Sequence, residues 1–400
     1  MVQENDQHRS GTHNSDARPS QTETRTLAMR ILLLGEYSNV HATLAEGLRT
    51  LGHHVTVASN GDFWKDYPRD IDLARRDGKI GGIALLAKVY SLLPSWRNYD
   101  VVQLINPMFL ELKAERIAPI YRYLRRHNKK MILCAMGMDW YWVNECTYRM
   151  PLRYSDFNIG SQVRTDDAAI KEQKDWLGTP KGELNQSIAQ DCHSIVAGLY
   201  EDFVCYEPYF RDKTHFIPLP IKMPDRKPAD FFSTDRPVKV FIGISKGRSA
   251  YKGTDIMLRA AEDVMKKHPA RMELHKAEGV PFEKYQRMMD GSDIILDQLY
   301  SYTPSMNPLL AMSKGIICMG GGEPENYEIL HENELRPIIN VQPTYESVCE
   351  ELEKLINNPQ RIPELKRQSI EYVRRHHDYI KVAKQYEALY KTPIRQHGRC

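Results

Sequence analysis

The stretch from Ser305 to Leu330, SMNPLLAMSKGIICMGGGEPENYEIL, holds the pattern on which the fold turns. Its apolar residues first recur with helical spacing and stop at Gly315, the residue type that most readily ends a helix. IICMG then reads as a short buried strand, and Gly320, Gly321 and Gly322 follow without a break. Pro324 and Glu325 open another helix, because proline fits the first turn and an acidic side chain favours the positive helix end. Helix, strand, glycines and helix in succession are the punctuation of a parallel α/β layer. Three glycines between strand and helix imply a backbone that must approach something closely. Amides bare of side chains, free to adopt positive φ, suit a phosphate.

The same alternation runs through the rest of the chain. Upstream, RILLLG, HATLAEGLRTLG and HHVTVAS read as strand, helix and strand, a βαβ unit that starts at Met29. DVVQLIN, KKMILCAMG, CHSIVAGL and THFIPLPI add strands, and ELKAERIAPIYRYLRRHN a helix. Residues 145–190 are polar and less regular, and read as helices and loops laid over the sheet. Around IKMPDRKPADFFSTDRPVK (221–239) the chain turns proline-rich and charged, which marks an interdomain linker. A second series begins with VKVFIGI. It includes the helix TDIMLRAAEDVMKKHP, with Thr254 as N-cap, and ends in the amphipathic YIKVAKQYEALYKT. The expected fold class is α/β, with two Rossmann-like parallel-sheet domains facing each other across a cleft. The expected divisions are a tail at 1–28, a first domain at 29–225, a second at 236–375 and a closing helix at 376–395.

Four hundred residues suit two or three domains, and a hydrophobic content of 42% supplies their cores. A net charge of +3 gives no electrostatic footprint for nucleic acid. The seven cysteines (Cys134, Cys146, Cys192, Cys205, Cys318, Cys349 and Cys400) are odd in number and show no CxxC spacing, which fits a reduced intracellular protein. GGIALLAKVYSLLPSW (81–96) is the most apolar window, but it is short for a membrane span and is interrupted by Lys88 and Pro94. The first 28 residues are polar, lack the apolar core of a signal peptide, and read as a disordered tail. The expected location is the cytoplasm.

No GxGxxG follows the first strand, where Gly35 leads into EYSNVHA, and GxxxxGK[ST], HExxH and GxSxG are absent. Asp70 and Asp72 lie in a polar run that reads as a solvated face. FIGISKGRSAYKGTDIML is more informative, because Lys246, Arg248 and Lys252 crowd a loop just before a helix. Three cations beside a positive helix end make an anion site. With the glycine loop, they point to a diphosphate held at the strand C-termini.

These segments resemble the retaining glycosyltransferases of family 4 and their GT-B relatives. KGRSAYKGTDIML is similar to that family's basic loop, and LLAMSKGIICMGGGEPENYEIL to its LEAMAxG…GGxPE signature. MRILLLGEYSNVHATLAEGLRTLGHHVTVAS is similar to its first βαβ unit, and Gly137 and Asp139 of CAMGMDWYW to its strand-end G-x-D. The resemblance spans Met29 to about Tyr390. It implies a nucleotide-sugar donor bound by Lys252, by Lys246 or Arg248, and by Gly320, Gly321, Gly322 and Glu325. It implies an acceptor on the first domain near Gly35, transfer with retention, no bound metal, and a final helix that crosses back. The family's acidic pair is missing here, falling near Tyr302 and on Leu310, and Asn307 offers a polar substitute one turn before Leu310. Met136 replaces the His that precedes the family's Gly, and Gly247 stands where its Arg would be.

Further candidates follow from position. Asp139, just past a buried strand, either orients an acceptor hydroxyl or caps the segment after it. His41 at the first helix start is an acceptor contact or a surface histidine. Asp297, Gln298 and Tyr302 follow a strand end and are expected to line the donor pocket. The basic run YRYLRRHNKK (121–130) would rest on anionic headgroups at the inner membrane face if the acceptor is lipid-linked; otherwise it is a solvated helix face. The expected function is nucleotide-sugar-dependent glycosyl transfer to a glycan or lipid-linked acceptor, with no separate cofactor. The alternatives are a non-catalytic nucleotide-sugar-binding protein and an oxidoreductase, against which the missing GxGxxG counts.

Overall fold

The computed structural model describes residues 27–225, 232–244, 247 and 249–394. Most of the expected tail and the centre of the expected linker lie outside these. The first unit comprises β1 (Arg30–Leu34), α1 (Val40–Thr50), β2 (His54–Ser59), β3 (Ile71–Asp72), α2 (Gly78–Leu92), β4 (Val101–Leu104), α3 (Ala114–His127) and β5 (Lys130–Ala135). After β5 come α4 (Trp140–Asn144), the short hairpin of β6 (Asn158–Ile159) and β7 (Gln162–Val163), α5 (Asp167–Trp176) and α6 (Pro180–Asp191). β8 (Ser194–Ala197), α7 (Tyr200–Phe210) and β9 (Thr214–Phe216) complete it. The strand order is β3-β2-β1-β4-β5-β8-β9, parallel throughout, with Leu32 opposite Thr56 on one side and Val102 on the other. Ile31 to Leu34 are fully buried, as parallel strands covered by helices on both faces require.

The second unit comprises β10 (Val238–Ile244), α8 (Ser249–Lys252), α9 (Thr254–Lys267), β11 (Met272–Glu278), α10 (Phe282–Met289), β12 (Ile294–Leu296) and α11 (Met306–Ser313). It continues with β13 (Ile317–Gly320), α12 (Pro324–Ile329), β14 (Ile339–Asn340), α13 (Tyr345–Asn357), α14 (Ile362–His376) and α15 (Tyr379–Lys391). Its parallel sheet has the order β11-β10-β12-β13-β14. α15 returns to pack on α1 of the first unit. A Cβ at Gly47 would lie 2.6 Å from the Tyr379 carbonyl, so glycine there permits the close approach. Lys130, nearly buried, donates from Nζ to the carbonyls of Leu389, Tyr390 and Thr392 and so closes the C-terminus of α15.

Two local expectations change and one holds. Gly253, not Thr254, caps α9, in left-handed backbone at φ 69°, and the Thr254 hydroxyl pairs with that of Ser249. Asp70 and Asp72 are exposed, as expected: Asp72 lies in β3 and accepts from Arg69, and Asp70, just before it, accepts from Arg49 and from the Val57 amide. The cations of 121–130 do not form one open patch. Arg125 pairs with Asp191, Lys129 with Asp100, and Lys130 sits under α15.

Candidate active site in the interdomain cleft

In an open parallel sheet, ligands bind beyond the strand C-termini where the strand order reverses. That point lies between β1 and β4 in the first sheet and between β10 and β12 in the second. Gly35, Glu36 and Asn106 follow the first pair of strands, and Asp297 follows β12.

Two sets of cross-links hold these ends face to face. Glu201, at the start of α7, is buried and accepts from the Ser301 hydroxyl at 3.0 Å, the Tyr302 and Thr303 amides at 2.6 and 3.0 Å, and the Thr303 hydroxyl. Arg153, beside the β6–β7 hairpin, grips Glu325 through both Nη atoms and Glu323 at 2.7 Å. Arg153 thereby holds the Glu325 carboxyl below its ordinary pKa.

The second-domain wall brings together Lys252, Asp297, Tyr285 and Asn307. A Cβ at Gly253 would sit 2.8 Å from Leu299 Cβ, so glycine lets α8 close on the segment after β12, where the Leu299 amide donates to the Lys252 carbonyl. Asp297 is partly exposed as a residue, yet its Oδ2 is shut from solvent without a hydrogen-bond partner. Burial pushes its pKa up to about 6, and the Lys252 charge opposes the rise. The Asn307 amide donates to the Tyr285 hydroxyl at 2.8 Å, whose ring occupies the space that a side chain at Gly243 would fill. Lys246 and Arg248 lie outside the described residues.

The three glycines pack closely against the protein's own chain. All are buried and none has left-handed φ. A Cβ at Gly321 would meet the Ser301 carbonyl at 2.4 Å, and one at Gly322 would meet Ile338 at 2.7 Å. The Gly322 amide donates to Asn340 and the Glu323 amide to the Tyr302 carbonyl, so these amides are engaged within the protein. What comes close to Gly321 is the protein's own 301–302 segment, while Gly320 faces Asp297 and Gln298. Tyr302 likewise does not line an open pocket. It is 1% exposed, its hydroxyl accepts from the Arg153 amide at 2.6 Å, and its ring packs against Tyr154 and Tyr200.

On the first domain, Asp139 caps α4 by accepting from the Trp142 amide at 2.9 Å, and it accepts from the Tyr206 hydroxyl at 2.6 Å. It is 1% exposed, and burial pushes its pKa up to about 6 despite these bonds. His41 is neither a surface group nor open to the cleft. Its Nε2 faces the Gln103 amide at 3.1 Å and its Nδ1 the Gly35 carbonyl at 2.8 Å. Gln103 Oε1 accepts from Tyr390, which leaves its nitrogen to donate and places the imidazole proton on Nδ1. Full burial lowers the His41 pKa to about 4. Gly35 adopts φ 81° with Ile105 against it, where a Cβ would clash.

Glu36 escaped the sequence reading, although it follows the first strand directly. It accepts from the His41 and Ala42 amides, and burial raises its pKa to about 8. Glu201 and Arg153 left no local trace, because their partners lie about 100 and 170 residues away. Among the described residues, no group of three or more His, Cys, Asp or Glu is placed to hold a metal ion.

No protein-family model and no curated protein matches the sequence. Solved structures do match. Anabaena HepE in complex with UDP-glucose is 12% identical with a TM-score of 0.55, over 91% of this chain and all (100%) of that one. The Thermosynechococcus elongatus sucrose-phosphate synthase is 11% identical, TM-score 0.55, over 91% and 98%. The fold is GT-B. A Listeria monocytogenes protein assigned as a UDP-N-acetylglucosamine 2-epimerase is 10% identical at the same TM-score, over 91% and 96%. The chain spans only 58% of the length of TarM. At these identities the likeness is one of fold.

Proposed function

We propose that the protein is a glycosyltransferase that moves a sugar from a nucleoside-diphosphate donor to a glycan or lipid-linked acceptor, with retention and without a bound metal. The observation that carries this reading is the wall of Lys252, Asp297, Tyr285 and Asn307 at the switch point of the second sheet, facing the strand ends of the first. Lys252, with Lys246 and Arg248 of the same loop, would hold the diphosphate and stabilise its charge as it leaves. Asn307, through its free carbonyl side, and Asp297, through its unpartnered oxygen, would take sugar or ribose hydroxyls. HepE is solved with UDP-glucose, which supports a UDP-sugar as donor. The buried Asp139 and the half-buried Glu325 would act by holding cleft elements in place rather than by touching the reacting atoms.

A second reading is nucleotide-sugar binding without transfer. Leu310 stands where the resembled family places its ribose-binding Glu, and the Gly322 amide is already engaged. Thermal-shift titration with UDP, GDP, ADP, CMP and NAD, with and without magnesium, is the first test. A ligand at 100 times its dissociation constant adds about 2.7 kcal/mol of stability. A magnesium-independent shift with one nucleoside diphosphate, followed by hydrolysis or transfer of its sugar, upholds the proposal. Binding with neither hydrolysis nor transfer leaves the non-catalytic reading, inversion of the sugar at C2 makes it an epimerase, and a shift with NAD alone makes it an oxidoreductase.

A further inference from the structure

The apolar window that is too short to cross a membrane forms α2, and this helix is apolar on both faces. Gly81, Leu85 and Val89 turn inward, Leu85 and Val89 into the core that holds Leu73 and Trp96. Ile80, Ile83 and Tyr90 are 83%, 67% and 50% exposed, with Ala84 and Ala87 exposed among them. A helix apolar all round is normally covered all round, by protein or by lipid. Among the described residues nothing covers this outer stripe.

The charges say what would cover it. From Gly78 to Leu92 the only charged residues are Lys79 and Lys88, both exposed, and exposed Arg76 lies just before. Asp77 at the N-cap is the nearest acid in sequence, and Asp72, held by Arg69, also feels the Lys88 charge. A second copy of the same face would bring lysines to a partner helix with no acid of its own, which disfavours a symmetric dimer. An apolar stripe bounded by cations fits the boundary between acyl chains and anionic headgroups.

Length and place agree. Fifteen residues make a helix of about 22 Å, short of the roughly 30 Å hydrocarbon core, so α2 can lie on a bilayer but not cross it. No described helix is long and apolar enough to span a membrane. β3 pairs with the C-terminal end of β2, and α2 begins soon after it at Gly78, so Ile80 and Ile83 lie at the cleft end of the sheet. Phe63 and Trp64, 62% and 65% exposed, sit on the turn after β2 at that same end.

We propose that the outer face of α2 docks this protein on an anionic lipid surface, with Ile80, Ile83 and Tyr90 in the interface and Lys79 and Lys88 on lipid phosphates. Only the consequence, that a lipid-linked acceptor reaches the cleft from the bilayer, rests on the transferase reading.

Flotation of the full chain with vesicles tests the proposal. Vesicles of phosphatidylcholine with about a third phosphatidylglycerol should carry it upward, and pure phosphatidylcholine should not. Ile80→Glu/Ile83→Glu should reduce binding by at least about tenfold, and Lys79→Glu/Lys88→Glu should reduce it and remove its salt dependence. Arg122→Glu/Arg126→Glu on α3 should change little. These side chains are exposed, so unchanged melting of each variant separates lost docking from lost fold. Wild type that fails to float, or α2 variants that float as well as wild type, overturn the proposal. So does light scattering that shows a dimer which Ile80→Glu dissociates. A nucleotide-induced shift without flotation sinks this inference alone; flotation without any nucleotide shift sinks the transferase reading alone.

Discussion

At the end of β12, one oxygen of Asp297 is shut from water without a donor, and burial raises its folded pKa from 3.8 to about 6. A raised acid pKa means that the fold disfavours the charged form. The penalty is absent below about pH 4, grows between about pH 4 and 6, and is complete above. Two pH units at 1.36 kcal/mol each give about 3 kcal/mol, a net figure in which the attraction to Lys252 is already included. Asp297→Asn should therefore match wild type near pH 4 and gain stability over it as pH rises to 7, measured by urea unfolding across that range. An unchanged difference across pH would show that the carboxyl is solvated. Lys252→Ala removes the cation opposite. It should weaken nucleotide binding at least about tenfold, since charge-assisted bonds to phosphate contribute roughly 1.5–3 kcal/mol. Titration calorimetry with the nucleotide identified above reads this directly, and unchanged affinity would displace the diphosphate from this wall. Both residues were legible because strand ends and pre-helix loops announce themselves in sequence. The role of His41 was not, because its burial depends on Gln103 and Tyr390, brought in from β4 and α15.

Elements were legible to the degree that their burial was one-sided or complete. β1 from Ile31 and β5 from Met131 are buried and read as unbroken apolar runs, while α9 and α13 carry their core residues at helical spacing. α2 gave no periodic signal because both of its faces are apolar. β3 gave none because two residues paired to Ala58 and Ser59 are too few to pattern. The glycine triplet announced close approach correctly, yet glycine chemistry alone cannot distinguish a phosphate from a neighbouring loop as the thing approached. α15 shows how one distant side chain can finish an element, since the buried Lys130 serves three carbonyls at its end. Burial also lowers the Lys130 pKa, so the ammonium is held there by those acceptors. Lys130→Met keeps the apolar stem but leaves the carbonyls unmet, and should lose about 1–3 kcal/mol of stability. Hydrogen exchange should speed up first at the C-terminal turn of α15. Uniformly faster exchange across the first sheet would instead mean that the lysine supports β5.

Two domains joined by a linker commonly unfold in separate steps. In this molecule one apolar layer runs from Ile31 and Leu33 through Tyr386 and Tyr372 to Cys318 and Ile295, joining the first sheet to the second. The Glu201 and Arg153 cross-links add a second join, between the cleft loops themselves. The domains are therefore fastened in two ways, by the apolar layer and by the polar cross-links, and wild type should unfold in a single urea transition. Glu201→Ala leaves the Ser301–Thr303 donors unmet, and Arg153→Ala leaves Glu323 buried without its cation. Leaving buried donors unmet costs about 1–3 kcal/mol, and the Arg153 loss is reduced by solvent because that side chain is 53% exposed. Much of that loss should fall on the second domain, whose cleft loops then have no partner, while the first keeps its own core. The double variant should show two transitions, the earlier reported by hydrogen exchange in α11 and α12 and the later in β1 and β5. The same variant should bind nucleotide with slower association if the closed cleft is the competent form, because that form is then only fractionally populated. A double variant that still unfolds in one step would assign domain coupling to the apolar layer alone, and the hairpin around Arg153 would then serve the cleft loops rather than the joint.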